Sequence, residues 1–211
     1  MNNDRNKHLG ETIRKSILAG ICIGIGATVY LSCPNKYIAA TLFGIGLYLI
    51  CTYNFNLFTG KIGYAIKLRK QYLPLYYIEI WIGNFIGCAL VVLPLRVGKP
   101  ELISAAKSLM DIKITHTIPQ MIILGMMCGV MMFIAVNTYK SVSTSTDEIL
   151  SIFFPVVIFI LCGFEHSIAN MCYALYAVEF NITQIVTYLI YILIISLSNA
   201  VGSLLFCSLK G

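Results

Sequence analysis

The sequence predicts an all-α membrane protein with six transmembrane helices, arranged as two inverted repeats of three helices with broken second and fifth helices. Three observations predict this fold class. Hydrophobic residues make up 58% of the 211 residues, charged residues make up 11%, and the mean hydropathy is +0.83, whereas a soluble domain carries roughly 25% charged residues. Six apolar segments can be placed along the chain. Two of them are too long for one straight crossing and carry polar residues near their middle.

The apolar segments belong to one transmembrane domain that spans residues 1–211. A helix needs about 20 apolar residues to cross the roughly 30 Å hydrocarbon core of a bilayer. Two repeats, at about 13–93 and 117–209, are joined by an amphipathic segment at 94–116. The predicted crossings are residues 13–31, 37–68, 72–93, 117–138, 149–178 and 182–209.

Basic residues predict the orientation of the chain. Residues 1–15 are polar and lack the apolar core of a secretory signal, so we expect a short cytoplasmic tail before the first crossing. With that tail inside, ten Lys or Arg residues lie in cytoplasmic segments and five lie outside, which favours an inner (plasma) membrane protein with both termini in the cytoplasm. The inside group is Arg5, Lys7, Arg14, Lys15, Lys61, Lys67, Arg69, Lys70, Lys140 and Lys210, and the outside group is Lys36, Arg96, Lys99, Lys107 and Lys113.

The second segment, 37–68, has about 32 residues, which is too many for one straight crossing. Polar residues between Asn54 and Gly60 lie near its middle and predict that the helix opens there and restarts. Thr59 is expected to be the N-cap of the second half. An ordinary polar kink is the alternative.

The third and sixth segments repeat one pattern. Asn84 begins the sequence Asn-x-x-Gly-small in the third segment, and Asn199 begins it in the sixth. Two sets of three crossings, each with a broken middle helix, predict an inverted repeat whose half-helices begin at the membrane centre, where their N-termini lower the energy of an anion. Small residues four apart also predict close helix approach, and these pairs are Gly20 with Gly24, Gly83 with Gly87, Gly125 with Gly129, and Ser198 with Gly202.

The linking segment 94–116 holds apolar residues at helical spacing together with four basic residues. We expect an outside, partly membrane-lying amphipathic helix whose charges draw anions toward the protein, and a solvated surface helix is the alternative. Residues 140–148 are expected to form a cytoplasmic loop that caps the fifth helix. The apolar residues are Leu102, Ile103, Ala106, Leu109 and Met110, and the basic ones are Arg96, Lys99, Lys107 and Lys113.

Glu165 and His166 stand side by side in the middle of the fifth segment, 149–178. Ionisable residues at membrane depth are costly, so they indicate a functional site, and a satisfied polar pair in a packed helix is the alternative. The segment is too long for one crossing and too short for two, which predicts a break near 162–167. Non-helical backbone at that depth must be buried in protein or line a cavity, so His166 is expected to face a pathway.

The sequence argues against an enzyme, a metal site and a cofactor. The eight cysteines lie in apolar segments without C-x-x-C or zinc spacing, and are most simply packing residues. A haem or metal ligand at His166 would need partners at depth, whereas His8 and His116 lie outside the apolar segments. The net charge of +6 reflects topology rather than nucleic-acid binding. Alternatives from other classes are a neutral-solute channel, whose paired Asn-Pro-Ala signatures are absent, an intramembrane redox protein and a purely structural membrane protein.

Several motifs resemble those of the formate/nitrite transporter family, which also includes hydrosulfide channels. The run GFEHSIANM at 163–171 resembles the central motif of that family almost letter for letter, and LFT at 57–59 resembles the loop that breaks its second helix. The stretches that begin at Trp81 and Asn199 resemble its third and sixth helices, and KITHT at 113–117 resembles the entry to its fourth. The resemblance covers nearly the whole chain.

This resemblance implies an aquaporin-like protomer with its own pore, assembled as a homopentamer. It implies transport of small monovalent anions (formate, nitrite, hydrosulfide or similar) and protons, with a central histidine that neutralises or hydrogen-bonds the anion. Lys113 would lie in the outer vestibule, and Asn84 and Asn199 would be polar supports of the third and sixth helices. The implied pore-centre residues are Thr59, Glu165, His166, Ser167 and Asn170, and the implied constriction residues are Phe43, Leu47, Leu57 and Phe159.

The sequence departs from the family at three points. Cys128 is followed by Gly129, where the family usually has an asparagine, and this change is expected to remove a hydrogen-bond partner of Glu165 or His166. The sequence CYAL at 172–175 replaces an apolar-Pro stretch, and the loops are short. The identity of the anion therefore stays open within the class, as does the choice between a channel and a proton-coupled transporter.

Overall fold

A computed structural model describes residues 2–67, 73–179 and 181–211, with side chains described for 9–66, 74–179 and 181–211, and the regular elements in these ranges are all helices. The side chains of Arg5, Lys7, Lys67, Arg69 and Lys70, which enter the orientation argument, lie outside these ranges. The elements within them are α1 Asn2–Ser32, α2 Lys36–Thr52, α3 Phe58–Lys61, a 3₁₀ helix Ile62–Lys67, α4 Leu73–Gly98, α5 Glu101–Lys113, α6 Ile118–Tyr139, α7 Ser145–Leu161, α8 Ser167–Ala177 and α9 Ile182–Lys210.

Four helices in the described residues are long and apolar enough to cross a membrane. These spans are Leu9–Ser32 of α1, Pro74–Gly98 of α4, Ile118–Tyr139 and Ile182–Lys210. The prediction of an all-helical membrane protein is confirmed. The third segment was expected to end at Leu93, yet α4 continues through Pro94 to Gly98, because a proline removes one N–H without preventing another turn of helix here.

The helix pairs α1–α4 and α6–α9 pack at backbone distance. A Cβ atom added to Gly20 would lie 2.1 Å from the carbonyl oxygen of Asn84, and one added to Gly87 would lie 2.0 Å from that of Ile17. Gly129 makes the same kind of contact between α6 and α9. Only glycine fits at these crossings, as the small-residue pairs in the sequence predict.

The second predicted segment is broken between α2 and α3. Asn54, just beyond the end of α2, has a φ of 51°, a left-handed conformation that asparagine tolerates and that ends the helix. The expectation that Thr59 is the N-cap is wrong, because the backbone is extended at Leu57 and α3 begins at Phe58. The leucine side chain supplies no capping hydrogen bond, so the first N–H of α3 finds its acceptor on another helix.

The fifth predicted segment is broken between α7 and α8, inside the predicted window. Gly163 has a φ of 69°, and α8 restarts with His166 as its N-cap. At the other end of α7, the Thr144 side chain accepts from the Asp147 N–H, so the loop before α7 caps it as predicted. The two breaks place non-helical backbone in the interior of the protein.

The amphipathic helix α5 turns its apolar face into the protein rather than into the membrane. Leu102, Ala106 and Met110 are 3%, 0% and 0% exposed, and α5 packs against α8 and α1. The expected position of α5 at the membrane surface stays a prediction. The interrupted fifth segment leaves α8 as a short helix, and α5 covers its side.

Arg96, in the part of α4 that extends past the predicted end, binds the last turn of α8. Its Nη1 donates to the carbonyl oxygens of Leu175 and Val178 at 2.7 and 2.9 Å. Helix C-termini have unpaired carbonyls and favour cations. We expect Arg96→Met to destabilise the protein by about 1.5–3 kcal/mol, measured as a lower midpoint of thermal unfolding in detergent. Lys99→Met, which removes a neighbouring charge away from α8, is the control, and equal losses in the two variants would contradict this role.

Candidate functional site

His166 and Thr59 meet where the second halves of the two broken segments begin. His166 is the N-cap of α8, and Thr59 lies in the first turn of α3. Thr59 Oγ1 and His166 Nε2 are 2.9 Å apart, and the residues are 0% and 2% exposed. The fold therefore brings together two polar side chains that lie 107 residues apart in the sequence.

The hydrogen bonds of His166 define its tautomer. Nδ1 accepts from the Ala169 N–H at 3.1 Å, so this nitrogen carries no proton. The proton of the neutral ring is therefore on Nε2, which donates to Thr59 Oγ1. The Thr59 hydroxyl accepts this bond and keeps its own hydrogen to donate.

Asn84 of α4 holds the backbone of the first break. Its Oδ1 accepts from the Phe58 N–H at 2.9 Å, which is the N–H that begins α3. Its Nδ2 donates to the carbonyl oxygens of Ser16 on α1 and Asn56 in the break, both at 2.8 Å. One buried side chain thus joins a helix start, a break and a neighbouring helix.

Asn199 of α9 makes the same set of bonds at the second break. Its Oδ1 accepts from the Ser167 N–H at 2.9 Å, and its Nδ2 donates to the carbonyl oxygens of Gly125 on α6 and Glu165 in the break, both at 2.8 Å. Both asparagines are fully buried. They fix the start of α3 and of α8, and therefore the positions of Thr59 and His166.

Glu165 is a buried carboxylate with close polar partners. Lys113 Nζ lies 2.6 Å and Asn170 Nδ2 2.9 Å from its Oε2, while His116 Nδ1 lies 3.7 Å from its Oε1. The Glu165 and Lys113 side chains are 2% and 12% exposed, so each needs the opposite charge of the other. The charge that was expected to attract anions in the outer vestibule is therefore paired with Glu165.

Ser167 is buried at the first position of α8, and its Oγ has no hydrogen-bond partner among the described residues. Its N–H is bound by Asn199, so only the hydroxyl is unused. Within the same part of the chain, no group of three or more His, Cys, Asp or Glu side chains could hold a metal ion.

The four apolar residues expected at constrictions are buried, and Phe159 contacts the imidazole of His166. Phe43, Leu47, Leu57 and Phe159 are 2%, 1%, 1% and 4% exposed. The Phe159 ring stacks on His166 with centroids 5.7 Å apart, and it meets Phe43 edge to face at 5.9 Å. All four residues expected at constrictions are thus buried, and the two phenylalanines pack on the side of the imidazole.

Two cavities approach the Thr59–His166 pair. The first, which we call the Lys113 cavity, has a volume of about 280 Å³ and reaches His166 and Phe159. The second, the Lys61 cavity, has a volume of about 250 Å³ and reaches Leu57. The start of α2 lines the first and its end lines the second. Since α2 has 17 residues, the cavities lie at opposite ends of a helix about 25 Å long.

Three of the four basic residues of the linking segment have partners away from the Lys113 cavity. Arg96 binds the last turn of α8, and Lys99 lies 3.6 Å from Glu101. Lys107 pairs with Glu179, whose hydrogen bond raises the pKa of the lysine. Of these four basic residues, only Lys113 lines the Lys113 cavity.

Sequence reasoning did not name Tyr30, Lys36 and Tyr173 as site residues, although all of them line the Lys113 cavity. Lys36 was assigned only to an outside loop, although it stands at the start of α2. Tyr30 and Tyr173 stand on helices that are distant in the sequence, and their rings are 6.0 Å apart. Their meeting depends on how α1 packs against α8, and no spacing in the sequence signals it.

Gly129 has a packing role that the sequence comparison with the family did not suggest. A Cβ at this position would lie 2.1 Å from the Asn199 carbonyl oxygen, so an asparagine side chain does not fit in this packing. The polar contacts of Glu165 come instead from Lys113 and Asn170.

Comparison with known proteins gives a family for the chain. The family model described as formate/nitrite transporter matches residues 2–210. The formate channel FocA of Escherichia coli (strain K12) is 25% identical over 186 residues, which cover 78% of this chain and 65% of the relative. The formate-nitrite transporter of Plasmodium knowlesi (strain H) is 28% identical over 193 residues, covering 75% and 61%. The matched region is thus less than two thirds of the length of these relatives.

Solved structures share the fold. A pentameric formate channel with formate bound has a TM-score of 0.84 at 23% identity, over 97% of this chain and 96% of that one. An FNT family ion channel has a TM-score of 0.85 at 23% identity, over 98% and 90%. The match to the family model extends over almost every residue. The chain therefore belongs to the formate/nitrite transporter family, whose members are membrane transport proteins rather than enzymes.

Proposed function

We propose that this protein moves small monovalent anions of the formate or nitrite type across a membrane, through a pore in each protomer. The pathway runs from the Lys113 cavity past His166 and Thr59 to the Lys61 cavity. The observation that carries the proposal is the Thr59–His166 hydrogen bond, which lies between two cavities and among buried apolar side chains.

Six crossings in an aquaporin-like inverted repeat account for the helices. Besides the four long spans, α2 with α3 and the 3₁₀ helix would form one broken crossing, and α7 with α8 the other. The repeats would be about 13–93 and 117–209, with 94–116 as the link. The equivalent hydrogen bonds of Asn84 and Asn199 support this symmetry. Each short helix would then direct its N-terminus, with its partial positive charge, toward the centre.

The assembly and orientation are part of the same proposal. The solved relative described as a pentameric formate channel supports a homopentamer. The distribution of Lys and Arg supports an inner-membrane protein with both termini in the cytoplasm, so that the Lys61 cavity faces the cytoplasm and the Lys113 cavity faces outward.

The apolar surroundings create the barrier that the pore centre must lower. Moving a carboxylate-sized ion into a low-dielectric medium costs on the order of 20 kcal/mol in the idealised limit. Phe159 on one side and Leu57 on the other border the polar pair. An anion therefore crosses only if the centre replaces its hydration by hydrogen bonds or removes its charge.

Hydrogen bonding is the route that the geometry favours. His166 Nε2–H polarises the Thr59 hydroxyl, whose hydrogen is then directed at a permeating anion. Direct proton donation by His166 needs a second proton on Nδ1, which would face the Ala169 N–H and break the cap of α8. A proton-linked version of the mechanism therefore requires the ring to reorient or the proton to arrive with the anion.

The test is anion uptake by liposomes that contain the purified protein. Formate, nitrite and hydrosulfide are compared across a pH series around the usual imidazole pKa of about 6.5. His166→Phe removes the donor that directs the Thr59 hydroxyl at the anion, and the charge-assisted hydrogen bond from that hydroxyl is worth about 1.5–3 kcal/mol, so we expect a loss of flux of roughly tenfold or more. His116→Phe, the same change at the outer end of the Lys113 cavity, is the control and keeps most of the flux.

Other results would contradict the proposal in defined ways. Equal anion flux in wild type and His166→Phe, with the same pH dependence, would remove His166 from the mechanism. Osmotic swelling with water or glycerol, without anion uptake, would indicate a neutral-solute channel. A coloured or metal-containing protein would indicate the intramembrane redox alternative. Preference for hydrosulfide would keep the pore and change the substrate.

A further inference from the structure

Two lysines line the Lys61 cavity from different helices. Lys61 stands in the last turn of α3, and Lys140 is the C-cap of α6. Lys61 Nζ donates to Asn54 Oδ1 at 3.3 Å, and Lys140 Nζ lies 4.3 Å from the centre of the Tyr64 ring. An amide oxygen and an aromatic face orient an ammonium group, yet neither neutralises its charge.

The charge balance of this cavity differs from that of the Lys113 cavity. Glu165 pairs with Lys113 in the latter, whereas the described residues that line the Lys61 cavity include no carboxylate. Neither Lys61 nor Lys140 forms an ion pair within the described part of the chain. The cavity thus holds two positive charges that no carboxylate among the described residues balances.

The position of the Lys61 cavity lets its positive charge act on an anion near the pore centre. Its wall includes Leu57 and Gly60, which flank Thr59 in the sequence, so an anion held there is next to the central barrier. Like charges that share a confined space repel each other, and an anion between them relieves this repulsion. The volume of about 250 Å³ exceeds the space of a small carboxylate and leaves room for its water.

We infer that Lys61 and Lys140 form a second anion-binding site, which holds a small carboxylate at the mouth of the pathway opposite Lys113. The inference deepens the proposed function and rests on it, because it takes the anion pathway to run between the two cavities. A dicarboxylate matches two ammonium groups better than formate does, but it carries two charges that the apolar centre rejects. A dicarboxylate such as malonate therefore binds at this mouth without crossing and competes with formate.

The test compares Lys61→Met, Lys140→Met and the double variant with Lys210→Met. The control removes the same charge at the exposed end of α9, outside the cavity. Formate efflux from liposomes is measured against internal formate concentration, with and without internal malonate, on protein with its Lys61 side facing inward. We expect the double variant to raise the half-saturating concentration by about tenfold, to keep the maximal flux, and to lose inhibition by malonate.

Binding of ¹³C-formate to the protein in detergent, followed by NMR line broadening, separates the two proposals. If wild type carries no anion, the proposed function fails. The site is then still supported if the ¹³C-formate line broadening is lost in the double variant but not in Lys210→Met. If wild type carries formate and the double variant shows the same half-saturation and the same inhibition by malonate, the site is refuted and the pore stands. An equal effect of Lys210→Met would refute the site as well.

Discussion

Replacement of Asn199 by alanine is expected to cause the largest loss of stability of any single change near the site. The side chain satisfies the Ser167 N–H and the carbonyl oxygens of Gly125 and Glu165, all in the protein interior. Each buried polar group left without a partner costs about 1–3 kcal/mol. Three such losses approach the whole stability of a typical domain, about 5–15 kcal/mol. The measurement is the midpoint of thermal unfolding in detergent.

Anion flux gives a second measure of the same change. In the fraction that folds, the Ser167 N–H at the start of α8 has lost its acceptor, so His166 loses its fixed distance to Thr59 and uptake falls with stability. Asn84→Ala is expected to behave alike, because Asn84 makes the equivalent bonds at the other break. Asn137→Ala, which changes a half-buried asparagine of α6, is the matched control. Similar melting of Asn199→Ala and Asn137→Ala would show that the breaks hold by other means.

Removal of either partner of the Lys113–Glu165 pair is expected to lower stability, whereas the effect on anion flux is expected to depend on which partner is removed. Removal of one partner from a buried pair costs about 3–5 kcal/mol, because the other charge stays buried. Lys113→Met leaves a negative Glu165 beside His166 in the cavity, and this charge repels anions. Glu165→Gln leaves a positive Lys113, which attracts them. Both variants should therefore unfold more easily, but anion uptake at low concentration should fall in the first and hold or rise in the second.

The double variant Lys113→Met/Glu165→Gln completes the cycle. It contains no unpaired charge, so its unfolding midpoint is expected to recover above that of Lys113→Met. The new amide keeps a side-chain oxygen at position 165 that can accept from Asn170, which limits the change in geometry. Equal loss of uptake in both single variants would mean that the pair acts only through the fold and that its charge does not act on the permeating anion.

The two helix breaks were predictable because the length of each apolar segment conflicts with the thickness of a bilayer. Apolar segments of 37–68 and 149–178 exceed the thickness of a bilayer, and each carries residues that leave helical geometry, with Asn54 and Gly163 at positive φ. The exact restart of α3 was missed, because its cap is supplied by Asn84 from another helix rather than by Thr59. A local rule for N-caps has no access to such a partner.

The pairing of charges was beyond the sequence for a similar reason. Lys113 and Glu165 were each noticed, but Lys113 was placed in an open vestibule because nothing in the chain links positions 52 residues apart. The contact arises because α5 packs its apolar face on α8, which brings its last residue over the second break.

The asparagines of α4 and α9 bind main-chain atoms, while the side chains of His166 and Phe159 line the Lys113 cavity. His166 also caps α8 through the Ala169 N–H, whereas no described hydrogen bond of either asparagine involves Phe159. Exchange of Phe159 therefore leaves these main-chain bonds in place, so a single substitution there changes the lining of the proposed pathway without rebuilding the scaffold. Laboratory selection for a new permeant should accordingly yield changes at the lining and leave Asn84 and Asn199 untouched.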